Sequence, residues 1–286
     1  MPELLTPSLA PASPSVAPSS DTDRQGPPDR TVRAALAALA AAQKTSSGAP
    51  AYSRFVNRRL GRWLAAVAWV LRATPNQVTA VSALCTFAGI ALLALLPAGP
   101  LVAVLVPLLL VVGYALDSAD GQLARLGGGG SPAGEWLDHV VDATKIAVLH
   151  LAVGVAWIRS PEDRGGLVAV PFAYQVIATV AFFAIVLTEQ LRRAEAVRRG
   201  EAKLTRPRTG VLYSLAVVPT DYGLLCLAFA LLAWPAGFTV VYLALALANT
   251  LYLALALPKW WRELAAAPRD ASGATAPAVA AQGSAS

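Results

Sequence analysis

Two long apolar stretches dominate the pattern of polar and hydrophobic positions. Residues 73–116 contain no Asp, Glu, Lys or Arg, and residues 209–258 contain only Asp221. Each stretch is about twice the roughly 20 residues that cross a bilayer core. Each is also broken near its middle by a turn signal, Pro97-Ala98-Gly99-Pro100 in one and Trp234-Pro235-Ala236-Gly237 in the other, so each predicts a helical hairpin. With the apolar segments between them, the pattern predicts spans at 77–96, 101–126, 134–158, 167–191, 209–233 and 238–257. Upstream, Val56, Leu60, Trp63, Val67 and Val70 recur at steps of three and four, while Arg54, Arg58, Arg59 and Arg62 occupy the other side. That is the pattern of an amphipathic cationic helix lying in a membrane interface. The expected fold is all-α: a polytopic membrane protein with six transmembrane helices preceded by an interfacial helix. An alanine-rich stretch at 31–44 predicts one further short helix, to which no function attaches.

Composition sharpens this picture. The chain is 56% hydrophobic and 14% charged, against about 25% charged in soluble domains; a soluble enzyme, a coiled coil, a disordered chain and a disulfide scaffold are excluded. Its net charge is +6, and placement matters more than the total. With the N-terminus inside, the loops after spans two and four carry Arg125 and the cluster from Arg192 to Arg208, whereas the opposite loops carry only Arg159 and Arg164. The positive-inside rule then puts both termini in the cytoplasm. Nucleic-acid binding, the other common use of a basic chain, is disfavoured because these clusters fall between apolar spans without interleaved stacking aromatics. Trp69, Trp157, Trp234, Trp260 and Trp261 stand near span ends, as interface anchors do. Cys85 and Cys226 lack the spacing of a zinc or redox pair and read as inert thiols. Residues 1–50 and 263–286 read as disordered tails around a membrane domain at 51–262, and the first 30 residues have no apolar segment of the signal-peptide kind.

Ionisable residues retained inside membrane spans are functional candidates. Asp117 and Asp120 stand at i,i+3 on span two, and Asp138 and Asp142 at i,i+4 on span three, so each pair shares one helix face. The short connection at 126–133 predicts that these helices are antiparallel neighbours, with both pairs toward the cytoplasmic end. Four clustered carboxylates repel one another in a low-dielectric site, and a divalent cation resolves the conflict. Oxygen-only ligands select hard ions, Mg²⁺ first and Mn²⁺ or Ca²⁺ as substitutes. Two ions bridging phosphate oxygens suit in-line displacement at phosphorus. Gly121 and Gly134 leave backbone space one turn from an acid, and Arg125 offers a phosphate-binding fork two turns from Asp117.

These eight positions, Asp117-x2-Asp120-Gly121-x2-Ala124-Arg125-x8-Gly134-x3-Asp138-x3-Asp142, resemble without departure the signature of the CDP-alcohol phosphatidyltransferases, integral membrane enzymes of phospholipid synthesis. Pro75, Asn76 and Thr79 at the start of span one, the interfacial helix and the six-span layout extend the resemblance over about residues 52–261. The resemblance implies a metal-dependent transfer from a CDP-linked donor, usually CDP-diacylglycerol, to an acceptor hydroxyl with release of CMP. It further implies that Asp117, Asp120, Asp138 and Asp142 ligate two metal ions, that Asp142 is also the general base, that Gly121, Arg125 and Gly134 contact the cytidine diphosphate, and that the enzyme is a homodimer with its site facing the cytoplasm. Independently, an alcohol is a poor nucleophile at neutral pH and needs a base beside the metal.

Other residues carry smaller expectations. Lys203, Arg206 and Arg208, just before span five, either hold anionic lipid heads or recognise a phosphorylated acceptor, as equivalent positions do in relatives using glycerol phosphate or inositol phosphate. Lys145 either binds an anionic substrate or offsets the acids. Asp221 either lines the acceptor pocket or hydrogen-bonds a neighbouring helix. His139 and His150 read as packing residues, and Gly127 to Gly130 as a flexible turn, since no Lys-Ser/Thr follows. Three other readings stand beside it: an aminoalcohol phosphotransferase using CDP-choline or CDP-ethanolamine; a cation transporter, against which stands the lack of an internal repeat; and a catalytically dead scaffold, against which stands the complete set of four acids.

Overall fold

The computed structural model describes residues 28–41, 50–200 and 217–266, and every element among them is helical. Helix α1 (Val32–Ala41) precedes a π-helical turn (Ser53–Asn57) that runs into α2 (Arg58–Val70). Then come α3 (Pro75–Leu95), α4 (Pro100–Leu126), α5 (Pro132–Arg159), a 3₁₀ turn (Gly165–Val168) leading into α6 (Ala169–Arg198), a 3₁₀ turn (Val218–Thr220), α7 (Tyr222–Ala228) continued by a 3₁₀ stretch (Phe229–Ala233), and α8 (Pro235–Ala265). Among the described residues, five helices are long and apolar enough to cross a membrane: α3, α4, α5, α6 with its leading turn, and α8. The expected span at 209–233 falls partly outside the described residues, as do Lys203, Arg206, Arg208, residues 1–27 and residues 267–286. Its described part, 217–233, holds the short 3₁₀ turn and the 12-residue apolar piece Tyr222–Ala233, which passes at Phe229 into 3₁₀ geometry.

The helix ends follow from local chemistry. Thr74 caps α3 by accepting from the Gln77 amide while the Gln77 side chain accepts from the Thr74 amide, a reciprocal capping box, and Pro75 follows at the first helical position, where its missing N–H costs nothing. Ser131 caps α5 by accepting from the Gly134 amide at 3.0 Å and Pro132 follows it, without the reciprocal half of the box because Gly134 has no side chain. Both predicted hairpin breaks appear where the Pro and Gly residues put them, with α4 beginning at Pro100 and α8 at Pro235.

Packing refines one expectation and corrects others. The two acid-bearing helices are neighbours that meet through side chains, Lys145 Nζ of α5 lying 2.6 Å from Asp117 Oδ1 of α4, with little backbone contact between them. Helix α3 packs against both α4 and α5. A short loop fixes where two helices begin, but the small side chains of α3 let it nest between them. Gly113 marks the α3–α4 crossing: a Cβ there would overlap Thr86 Oγ1 and stand 3.1 Å from the Ser82 carbonyl oxygen, which belongs to the backbone and cannot rotate away. Ser82 Oγ also donates to the Gly113 carbonyl at 2.8 Å. Close approach at a small residue is how helices gain dispersion contact inside a bilayer. Gly113→Leu is therefore expected to lower the thermal unfolding midpoint in detergent by the equivalent of about 1–3 kcal/mol, while Gly99→Leu, where nothing lies within 4 Å, leaves it unchanged. Equal midpoints for the two variants would refute the close crossing.

A correction concerns tryptophans. Trp69 and Trp157 are buried rather than placed at a lipid interface, Trp69 beneath Arg30 and Trp157 in an aromatic cluster with Phe238 and Tyr242; Trp234 and Trp261 do face outward. The interfacial helix behaves as expected on its apolar side, because Val56, Leu60, Trp63, Val67 and Val70 are all exposed and turned away from the bundle. What holds it to α4 is a stripe of small residues on its other side, Gly61, Ala65 and Ala68. Helix α1 falls inside the stretch read as a tail, yet it is packed: Ala35 and Leu39 are fully buried against α2 and α4, and Arg30 donates to the Trp69 carbonyl at 2.9 Å.

Candidate active site

Asp117, Asp138 and Asp142 converge from α4 and α5. One carboxylate oxygen from each lies within 4.8 Å of the others, the only such acidic trio among the described residues. All three are half-buried, so the site is open on one side. The sparse contact between α4 and α5 leaves room for the carboxylates to meet across the gap.

Asp120 is held differently. It is buried, with Oδ2 accepting from Thr79 Oγ1 at 2.6 Å and Oδ1 from the Gly121 amide at 2.5 Å. Each oxygen keeps a second lone pair, so the carboxylate is oriented rather than used up. Thr79 belongs to a row of buried hydroxyls on α3, with Ser82 and Thr86, whose spacing in a charge-free span was the available sign of a helix face turned to a polar site.

Lys145 offsets the acids directly. Its ammonium lies 2.6 Å from Asp117 Oδ1 and 3.1 Å from Asp142 Oδ1, and is nearly enclosed. Breaking such a buried pair leaves an uncompensated charge; the trio plus Lys145 carries a formal −2, and a divalent cation balances that remainder. An all-carboxylate donor set at this separation fits a hard divalent ion rather than a soft one.

The two glycines differ. A Cβ at Gly121 would meet only Arg125 Nη1, at 3.8 Å, so the backbone there is open to a ligand. At Gly134 a Cβ would stand 3.3 Å from Ser131 Oγ and 3.4 Å from Asn76 Oδ1, so this glycine also admits the start of α3. Arg125 Nε is buried without a hydrogen-bond partner, an unmet donor beside the open Gly121 face. At the start of α5, Glu135 accepts from Arg193 at 2.6 Å and ties α5 to α6.

The remaining residues have structural roles. Asp221 caps α7 through the Gly223 amide at 3.0 Å and accepts from the Ser53 amide at 2.8 Å, which ties α7 to the interfacial segment. His150 is buried, within 2.7 Å of the Tyr242 hydroxyl and stacked on Tyr174, whereas His139 lies 3.8 Å from Glu135. Gly128 and Gly129 adopt φ of +93° and +133°, so the four-glycine stretch is a turn that only glycine takes without strain. Cys85 and Cys226 are both free thiols.

The model of one family, CDP-alcohol phosphatidyltransferase, matches residues 72–256. Two solved structures of the Mycobacterium tuberculosis phosphatidylinositol phosphate synthase are similar to the chain. The one in complex with manganese and citrate is 20% identical with a TM-score of 0.44 and covers 72% of this chain and 89% of its own. The one with CDP-DAG bound is 17% identical with a TM-score of 0.39 and covers 72% and 94%. No curated protein matches the chain. The family match runs from the end of the interfacial helix through most of α8, takes in every residue that builds the acidic site, and amounts to well over half of the sequence: the protein is an integral membrane enzyme belonging to the CDP-alcohol phosphatidyltransferase family.

Proposed function

We propose that the protein transfers a phosphatidyl group from CDP-diacylglycerol to an acceptor hydroxyl and releases CMP, with Mg²⁺ as the working ion. The observation that carries this reading is the meeting of Asp117, Asp138 and Asp142 across the gap between α4 and α5, beside the open backbone of Gly121 and the unmet donor of Arg125. Asp117, Asp120, Asp138 and Asp142 would hold the metal. When bound, the ion neutralises the phosphate oxygens and makes phosphorus more electrophilic.

The chain's own groups do the rest. Arg125 and the Gly121 backbone orient the diphosphate, and Gly134 lets the start of α5 approach it. The acceptor oxygen forms a bond to the phosphorus that carries the diacylglycerol, and the P–O bond to CMP breaks in line with it. Asp142 takes the acceptor's proton; Oδ1 is held by Lys145, and the carboxylate keeps lone pairs to receive it. Lys203, Arg206 and Arg208 bind the acceptor if it carries a phosphate. The segment 209–233, the fifth span in chain order, joins the five long helices to make six, both termini and the site face the cytoplasm, the catalytic unit is 51–262 and the assembly is a homodimer; the distribution of arginines supports the orientation.

The test incubates the purified full chain with CDP-diacylglycerol, Mg²⁺ or EDTA, and a panel of acceptors (inositol phosphate, glycerol phosphate, serine and phosphatidylglycerol), and weighs the products. CMP release that requires metal and yields a phosphatidyl product with one acceptor is expected. Turnover only of CDP-choline or CDP-ethanolamine with diacylglycerol would overturn the donor assignment in favour of an aminoalcohol phosphotransferase.

A further inference from the structure

A second site stands at the opposite end of the bundle. A cleft of about 300 Å³, partly open to the outside, lies where α3 ends, α4 begins, α5 ends and α8 begins. Its floor is apolar, with Leu93, Val102, Leu232 and Phe238, and its charged lining is Arg159, Arg164 and Glu162. The charges sum to +1, and the two arginines are the only basic residues that the sequence places on that side of the bundle. Both have been drawn into one cavity, although nothing in a positive-inside distribution requires any cation there.

Arg164 is built in rather than dangling. Its side chain is 10% exposed and its guanidinium lies over the Trp157 ring at 4.9 Å, with Nη1 donating to Thr239 Oγ1 at 2.5 Å and Nη2 to Glu162 at 2.7 Å. Its Nε is buried and has no partner. A buried donor left unmet costs more than the bond it would make, so a cation fixed in this way is poised for an acceptor. Arg159 stands exposed at the mouth, anchored through the Ala94 carbonyl.

The cavity cannot serve the acidic site. From Asp142 to Arg159 is about 25 Å of helix at the α-helical rise, close to the roughly 30 Å thickness of a hydrocarbon core. A lipid whose phosphate is at the carboxylates belongs to one leaflet, and a molecule in this cavity belongs to the other.

We propose that this cavity binds an anionic phospholipid of the leaflet opposite the active site, its phosphate on Arg159 and Arg164 and the start of an acyl chain on the apolar floor. Cationic side chains above an apolar wall at interface depth match a phosphodiester attached to a hydrocarbon chain, and do not match a zwitterionic head, whose ammonium would stand beside the arginines. The ligand is structural or regulatory, since it lies a membrane's width from the chemistry.

The proposal is tested by native mass spectrometry of the full-length protein released from detergent, with phosphatidylglycerol and phosphatidylcholine of matched chains added in competition. Any anionic lipid drawn to the basic clusters at the other end is common to every variant, so the quantity read is the difference between wild type and variant. Wild type is expected to hold one phosphatidylglycerol more than Arg159→Gln or Arg164→Gln, at an affinity roughly tenfold higher, the change that follows loss of one charge-assisted hydrogen bond. Millimolar inorganic phosphate should leave that lipid in place; its displacement by phosphate would identify a free-anion site and overturn the lipid assignment. Because Arg164 is packed, its variant can fail by misfolding. Arg159→Gln changes an exposed side chain and should release CMP at the wild-type rate, so identical phosphatidylglycerol retention by Arg159→Gln and wild type would refute the proposal whatever the catalytic reading.

Discussion

Asp142→Asn should abolish turnover while leaving the helices assembled. The substitution keeps the shape of the side chain and its place beside Lys145 Nζ, 3.1 Å from Oδ1 in the wild type, but removes the charge and the basic lone pairs. Loss of a general base costs about 10²–10⁴-fold in rate, and Asp142 is also one of the three acids that converge within 4.8 Å, so the fall in kcat for CMP release is expected at the upper end of that range or beyond it. The acceptor KM should move little if Asp142 handles the proton rather than the binding. Asn cannot balance the Lys145 charge, so part of the effect could arise from a rearranged ion pair; Asp142→Asn combined with Lys145→Met removes that imbalance. The double variant should be as inactive as the single one. Recovery of CMP release in the double variant, or its survival in the single one, would show that Asp142 is not the base.

The second large effect is expected at Thr79, which lies outside the acidic motif. Thr79→Val is nearly isosteric and deletes the hydroxyl that donates to Asp120 Oδ2 at 2.6 Å. Asp120 then points one oxygen at a methyl group in a buried setting, at a cost of about 1–3 kcal/mol. Removing an outer partner of a metal ligand typically weakens metal binding by about 10–100-fold, and a loss of that size is the result expected from Mn²⁺ titration by calorimetry. Thr79→Ser restores the donor and should recover most of the affinity. A Thr79→Val protein of lowered thermal midpoint but unchanged Mn²⁺ affinity would remove Asp120 from the ligand set, leaving the trio to act alone.

The acidic site was largely legible because its information is local. Spacing of three and four residues on one helix decides which carboxylates share a face, and no tertiary contact can alter that. The hairpin breaks were legible for the same reason, since Pro97 to Pro100 and Trp234 to Gly237 act on their own backbone. What escaped were the relations between helices. The sequence order α4-loop-α5 says nothing of α3 packing on both, which depends on Gly113 and on the hydroxyl row at 79, 82 and 86. Trp69 and Trp157 sit near span ends in sequence, but a cation from elsewhere covers each of them, Arg30 in one case and Arg164 in the other. The interfacial helix shows the same limit. Its large apolar residues catch the eye, yet the residues that fasten it are the small ones opposite.

The docking of α1 sets an order of assembly. Synthesis runs from the N-terminus and α1 emerges before α2 and α4, but its buried residues, Ala35 and Leu39, rest on a cluster that includes Ala65 and Trp69 of α2 and Leu123 and Leu126 of α4. Until α4 has been threaded into the membrane, α1 has no complete surface to close on. Its closure therefore waits on the helix that bears Asp117 and Asp120, so the earliest made of these three helices is the last of them to settle.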